Sequence, residues 1–197
     1  MEPVETIEVN DVKVEIYQDE DPPNPRKEFD HLGKMVCFHR RYDLGDKHDF
    51  VRSEDFDGWI AMEKYLRDTR QAVIVLPLYL YDHSGITISA EPFSCHWDSE
   101  QVGFIYVDAA TVEKEFGLLS KKARNKAEDY LLFEVEEYDQ YLRGDVYGYR
   151  VLDKDGNEAD SCWGCFGLDY CREEARAAAE RIYNKSPLLP GLDEVKT

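Results

Sequence analysis

QAVIVLPLYLYDHSGITISAEPFSCHWDSEQVGFIYVD, residues 71–108, is the most apolar part of the 197-residue chain. Residues 72–82 run almost unbroken through β-branched and aromatic side chains, the composition of a strand covered on both faces. Pro77 donates no ladder hydrogen bond, so a bulge or an edge position is expected there. His83-Ser84-Gly85 turns the chain and residues 86–90 return as a partner strand. Residues 93–101 read as an irregular loop, and 103–107 as a third strand.

The flanking sequence supplies hairpins and helices around this stretch. Residues 6–17 alternate about Asn10-Asp11 and predict a hairpin, followed by a proline-broken loop over 19–25. The hairpin and linker, 1–25, read as an appendage to a single α+β domain over 26–185, with a flexible tail over 186–197. Residues 34–40 predict a short strand with Val36 and Phe38 on one side and Met35, Cys37 and His39 on the other. A loop with Arg40, Arg41, Lys47, His48 and Arg52 follows. Ser53 then suits a helix N-cap, with Glu54, Asp55 and Asp57 in the first turns. That helix is expected to run to about Arg70, with Phe56, Trp59, Ile60, Tyr65 and Leu66 as its core stripe. Further helices are expected over 109–116, closed by Gly117, over 120–143, capped by Ser120 and closed by Gly144, and over 169–184. Residues 146–152 and 158–163 alternate about Asp153-Lys154-Asp155-Gly156-Asn157, a hairpin turn. The architecture predicted is α+β: an antiparallel sheet built from hairpins with three to four helices packed on one face.

Composition narrows the function. With 42 acidic against 24 basic residues the formal charge is −18 and the isoelectric point near 4.6. A field of that sign repels nucleic acid and anionic membrane and favours a basic partner; solubility or a salt-adapted host is the plainer explanation. A hydrophobic fraction of 43% with 13% aromatic residues is enough for a packed core. The start Met1-Glu2-Pro3-Val4 has no basic region before an apolar run, and no stretch approaches the ~20 apolar residues of a membrane span. Together with five cysteines, these features predict reduced thiols in a cytoplasm and no cofactor.

Three constellations could carry chemistry. Cys162-Trp163-Gly164-Cys165 with Cys171 offers thiolates to a metal, with His39 or His96 completing the shell. Positions three apart on a strand point to opposite faces, however, and free buried cysteines are the competing reading. Asp82-His83-Ser84 and Ser94-Cys95-His96 contain nucleophile and base types, and Cys95 could meet His39 or His83 in space. Tyr81, Asp82, His83, Cys95, His96 and Asp98, with Cys37 and His39, therefore form a candidate enzyme or ligand pocket. Residues 153–157 lack the spacing of a calcium loop, and acidic residues crowd the helix start after Gly167, which argues against phosphate binding there.

The helix over 120–143 is the third. Lys121, Lys122, Arg124 and Lys126 open it, and Glu128, Asp129, Glu134, Glu136, Glu137 and Asp139 fill its second half, so both blocks oppose the macrodipole. This is either a solvated face or an acidic stripe, continued by residues 19–21 and Asp145, that docks on a basic protein surface. Carboxylates at helical spacing can imitate rows of phosphates; of Tyr138 and Tyr141, interleaved with Tyr130, some must be core, but Tyr is also a common interface anchor.

LPLYLYDHSGITIS (76–89), PFSCHWDSEQVGFIYV (92–107), EVEEYDQYLRGDVYGY (134–149), DSCWG (160–164) and KMVCFHRRYDLGDKHDF (34–50) resemble a family of small acidic proteins from phages, prophages and plasmids. The resemblance spans residues 26–181 and implies a context, an accessory gene of a mobile element. Charge and context together lead to the expectation of a non-enzymatic protein. It would inhibit a host defence component, in the manner of an anti-CRISPR or anti-restriction protein, by occupying a basic nucleic-acid-binding surface in the host cytoplasm. It would have no direct nucleic-acid or membrane contact.

Overall fold

The computed structural model describes residues 2–10, 12–50, 55–95 and 97–185. Its elements in order are β1 (Glu5–Val9), β2 (Val12–Gln18), α1 (Pro25–Glu28), β3 (Lys34–Cys37), α2 (Gly58–Asp68), β4 (Ala72–Asp82), β5 (Ile86–Ser89), β6 (Ser99–Asp108), α3 (Ala109–Phe116), α4 (Lys121–Arg143), β7 (Val146–Leu152), β8 (Glu158–Phe166) and α5 (Leu168–Lys185). The fold is α+β and every strand pairing is antiparallel.

The strands form two sheets, β1-β2-β7-β8 and β3-β6-β4-β5, where a single sheet was expected. Two compact units correspond to them: Met1–Pro22 with Asp145–Thr197, and Pro23–Gly144. The N-terminal hairpin is therefore not an appendage. Val12, Val14 and Ile16 alternate onto one face and need a cover that an isolated hairpin lacks. They obtain it because β2 pairs with β7, Val14 opposite Val151 and Ile16 opposite Tyr149. The same face packs on Cys171, Ala175, Ala178 and Ala179 of α5, whose small side chains let the helix lie close to the sheet. The β7–β8 turn forms as its residues predict. The Asp153 carboxylate accepts from the Asp155 and Asn157 amides at 2.9 and 2.8 Å, and Gly156 takes φ +83°.

In the second unit β6 is a central strand, and Val102 to Val107 are all buried because both faces are covered. One face carries Met35, Leu78, Leu80 and Ile105 against Ala127, Leu131 and Val135 of α4. The other carries Val36, Val75, Phe104 and Tyr106 against Met62 and Leu66 of α2. Helices thus lie on both faces, a difference from the one-faced layer expected. Pro77 pairs with Phe104, while β5 reaches only Tyr79 to Asp82, so β4 has a single neighbour at the proline. The register shift falls beside it, between Leu78 and Tyr79. Ile60, expected in the core stripe, is 86% exposed, and Met62 takes the inward position. The expected Ser53 cap, with Glu54, lies outside the described residues, as does the tail from 186. Ser120 does cap α4, accepting from the Ala123 amide at 3.1 Å, and Gly144 closes it in the left-handed region.

Gly103 sits where β6 crosses close to β3. A methyl group there would run into the Val36 carbonyl oxygen and stand 2.9 Å from Cys37 Cα, backbone that no rotamer change can move. Gly103→Ala is expected to lower unfolding stability in urea by about 1–3 kcal/mol or more.

Candidate functional site

The acidic half of α4 separates into two populations. A helix turning 3.6 residues per turn carries Leu131, Glu134, Val135 and Tyr138 on one face, and all of them are buried. Glu134 is 6% exposed. Its carboxylate accepts from the Leu32 amide at 2.6 Å and the Gly33 amide at 3.2 Å, and pairs with Arg26 Nη1 at 3.0 Å. Arg26 is itself buried: its Nε and Nη2 hold both oxygens of Asp46 at 2.8 and 2.6 Å, and Nη2 also reaches the Gly33 carbonyl at 2.9 Å. Burial opposes the guanidinium charge, but the hydrogen bonds and charges of Asp46 and Glu134 outweigh it and hold it firmly protonated. Glu134 is a structural counter-ion, and its place in the docking stripe is corrected accordingly.

Tyr138 is corrected for the same reason. It is 1% exposed, its hydroxyl accepts from the Gly45 amide at 3.0 Å, and burial pushes its pKa up to about 12. Tyr141 is half-buried and stacks on Tyr138, with ring centroids 6.1 Å apart. Asp139 is partly engaged, accepting from the Ile88 amide at 2.8 Å and pairing with Arg143 at 2.8 Å. Asp145 and residues 19–21 belong to the other unit, so α4 alone does not carry the continuous stripe expected. Glu128, Asp129 and Glu136 point outward, and among the described residues no ion pair or side-chain hydrogen bond engages them. Glu137 is half-buried, and its carboxylate lies 3.9 Å from His31 Nε2.

The His/Cys cluster also divides. His39, at the end of β3, has a side chain only 5% exposed. Its Nδ1 accepts from the Arg41 and Tyr42 amides, both at 3.3 Å, so the ring proton sits on Nε2, 3.8 Å from Glu100. Burial holds this imidazole below its ordinary pKa, with Glu100 pulling the other way. It stacks on Tyr42 and lines a cleft of about 830 Å³ with Trp59 and His48. His83 and Cys95 line a different cavity, of about 590 Å³. Both address Asp98 Oδ2, the Cys95 thiol at 3.7 Å and His83 Nδ1 at 3.8 Å. His83 and Cys95 thus share a carboxylate, and His39 is held by its own loop. Cys37 is buried and its thiol is pushed up to about 12, which keeps it unreactive. Asp82 pairs with Arg41 and accepts from the Tyr42 hydroxyl at 3.3 Å, while His96 lies outside the described residues.

Two of the three candidate metal thiols, Cys162 and Cys165, come to one side of β8, contrary to the opposite-faces argument. Tyr149 opposes Cys162 and Tyr147 opposes Cys165, so a two-residue step on β7 faces a three-residue step on β8. The extra residue is taken up at Gly164, φ +75°, and returns both cysteines to one side. All three thiols are free, and the Cys162 thiol donates to the Trp163 carbonyl at 3.7 Å; a hydrogen bond to Cys171 and burial raise Cys165, while the same bond lowers Cys171. Among the described residues no three His, Cys, Asp or Glu side chains converge in a metal-binding arrangement. No helix among them is long and apolar enough to cross a membrane.

No protein-family model matches the chain, and neither do any curated protein or solved structure.

The division of α4 predicts opposite outcomes for two neighbouring acids. Glu134→Ala leaves buried Arg26 short of a counter-ion and is expected to lower stability by about 3–5 kcal/mol in urea unfolding. Glu136→Ala is expected to change it by no more than about 0.5 kcal/mol.

Proposed function

We propose that this is a non-enzymatic accessory protein of a mobile element that inhibits a host defence component by covering its basic, nucleic-acid-binding surface. The observation that carries the reading is the charge of −18 together with exposed carboxylates that the fold itself does not neutralise, Glu128, Asp129 and Glu136 foremost. The resemblance to phage and plasmid proteins supplies the context. Complementary fields steer association and are screened by salt, so such a complex forms fast and weakens as ionic strength rises.

A second reading has its own observation. The buried His39 ring and His48 Nδ1, a buried nitrogen without a hydrogen-bond partner, line the same cleft of about 830 Å³, within the size range of small-ligand sites. A small enzyme or ligand-binding domain would use that cleft.

One comparison separates them. Wild-type protein, the Glu128→Gln/Asp129→Asn/Glu136→Gln variant and His39→Ala serve as baits in host extract, washed at low and at high salt, and are assayed for inhibition of the captured component. The expected result is a basic nuclease or sensor subunit held at low salt, shed at high salt, and lost with the charge variant. Function lost only in His39→Ala would favour the cleft and contradict the acidic inhibitor.

A further inference from the structure

One flank of α4 borders a cavity of about 690 Å³ between α3, α4 and the loop before β3. Four aromatic rings, Phe29, Phe116, Tyr130 and Phe133, line it beside charged and polar side chains. Three of them are strongly exposed for their kind, Phe29 at 43%, Tyr130 at 55% and Phe133 at 61%, and Phe116 meets Tyr130 with centroids 5.7 Å apart. Apolar exposure gathered around a concavity marks a binding surface more than scattered exposure does.

His31, Glu134 and Glu137 are among the polar groups of the lining. The His31 side chain is 8% exposed. Its Nδ1 lies 3.0 Å from the Phe29 carbonyl oxygen, which can only accept, so Nδ1 donates there. Nε2 is buried without a hydrogen-bond partner, and what it faces, 3.9 Å away, is the Glu137 carboxylate. Among the described residues no hydrogen bond engages Glu137, a half-buried carboxylate. The charges at the mouth are Asp30 and Glu115 against Lys114, which adds to the negative potential.

A carboxylate without a donor, walled by aromatic faces, is the complement of an organic cation: the charge pairs with the acid and the methylenes and cation lie on the rings. We propose that this cleft takes a lysine side chain from a basic protein partner, its ammonium donating to Glu137 while Phe116, Tyr130 and Phe133 enclose the stem. His31 is a positioning residue behind the carboxylate. The choice of a protein lysine as occupant rests on the basic-partner reading above.

The test titrates the full chain with the blocked peptide Ac-Ala-Lys-Ala-NH2 and its norleucine counterpart, following the aromatic ring signals by NMR. Saturable shifts of Phe116, Tyr130 and Phe133 in the millimolar range are expected with lysine only, weakened at least tenfold (about 1.4 kcal/mol) in Glu137→Gln and in Tyr130→Ala. Thermal melting and an unchanged amide spectrum outside the cleft establish that each variant is folded. An equal response to norleucine, or none to either peptide, overturns the proposal. So does a His31 ring protonated on both nitrogens at neutral pH, since the countercharge would then come from within. If the lysine peptide binds but no basic protein is held from host extract, the cleft stands and the inhibitor reading falls. If a basic partner binds the Glu137→Gln and Tyr130→Ala variants undiminished, the cleft proposal falls and the inhibitor reading stands.

Discussion

The second unit is organised around one buried cation. Arg26 enters at the start of α1, where Asn24 caps the turn by accepting its amide at 3.0 Å and Pro25 presets the backbone. From there its guanidinium spans to α4 through Glu134, to the loop after β3 through Asp46, and to the loop before β3 through the Gly33 carbonyl. The two carboxylates extend the net, Asp46 accepting from the Met35 amide at 2.7 Å and Glu134 from the Leu32 amide at 2.6 Å. Each charge in this knot is satisfied by geometry, which is the condition under which a buried ion network is tolerated. Such a network adds little over a well-packed apolar substitute, but removing one member leaves a stranded charge. Its role here is to fix which loop lies over which helix, and hence where the clefts around His39 and His31 open.

That arrangement also sorts the acidic residues by task. Glu134 and Asp46 balance Arg26, Asp82 balances Arg41, and Asp139 is shared between the Ile88 amide and Arg143. The outward carboxylates of α4 have no such assignment, and they set the sign of the field at that surface. The same helix therefore stabilises the fold with one face and offers charge and aromatic surface with the other. The lysine-rich first turns remain at odds with the macrodipole, a mismatch of about 0.3–1 kcal/mol at an exposed terminus that packing on β4 to β6 easily outweighs.

Much of the local structure was legible from sequence, because it follows from local chemistry. The turn at residues 153–157, the Ser120 cap, Gly144 and the alternation of β2 all act within a few residues of themselves. What was not legible depends on distant partners. Glu134, Glu136 and Glu137 are the same residue type within one turn, and only the helix phase relative to Arg26, 108 positions away, decides which of them is buried. Val12, Val14 and Ile16 announced a half-buried strand, but β7 as its neighbour could not be read across the intervening unit. The bulge at Gly164 reversed a sound argument about strand periodicity, since one extra residue returns Cys162 and Cys165 to a common side. Asn24-Pro25 was a readable helix-start signal, and following it would have drawn attention to Arg26. Nothing local marked His31 as buried against Glu137.

Arg26 and Glu134 act as one unit, and a double-mutant cycle measures that directly. Urea unfolding of Arg26→Met, Glu134→Met and the double variant gives the coupling energy. The prediction is that the double variant is more stable than the sum of the single losses implies, by at least about 1 kcal/mol, because removing both charges strands neither. Losses that add to within about 0.5 kcal/mol would mean the two residues contribute independently, and the knot would not be what holds the second unit together.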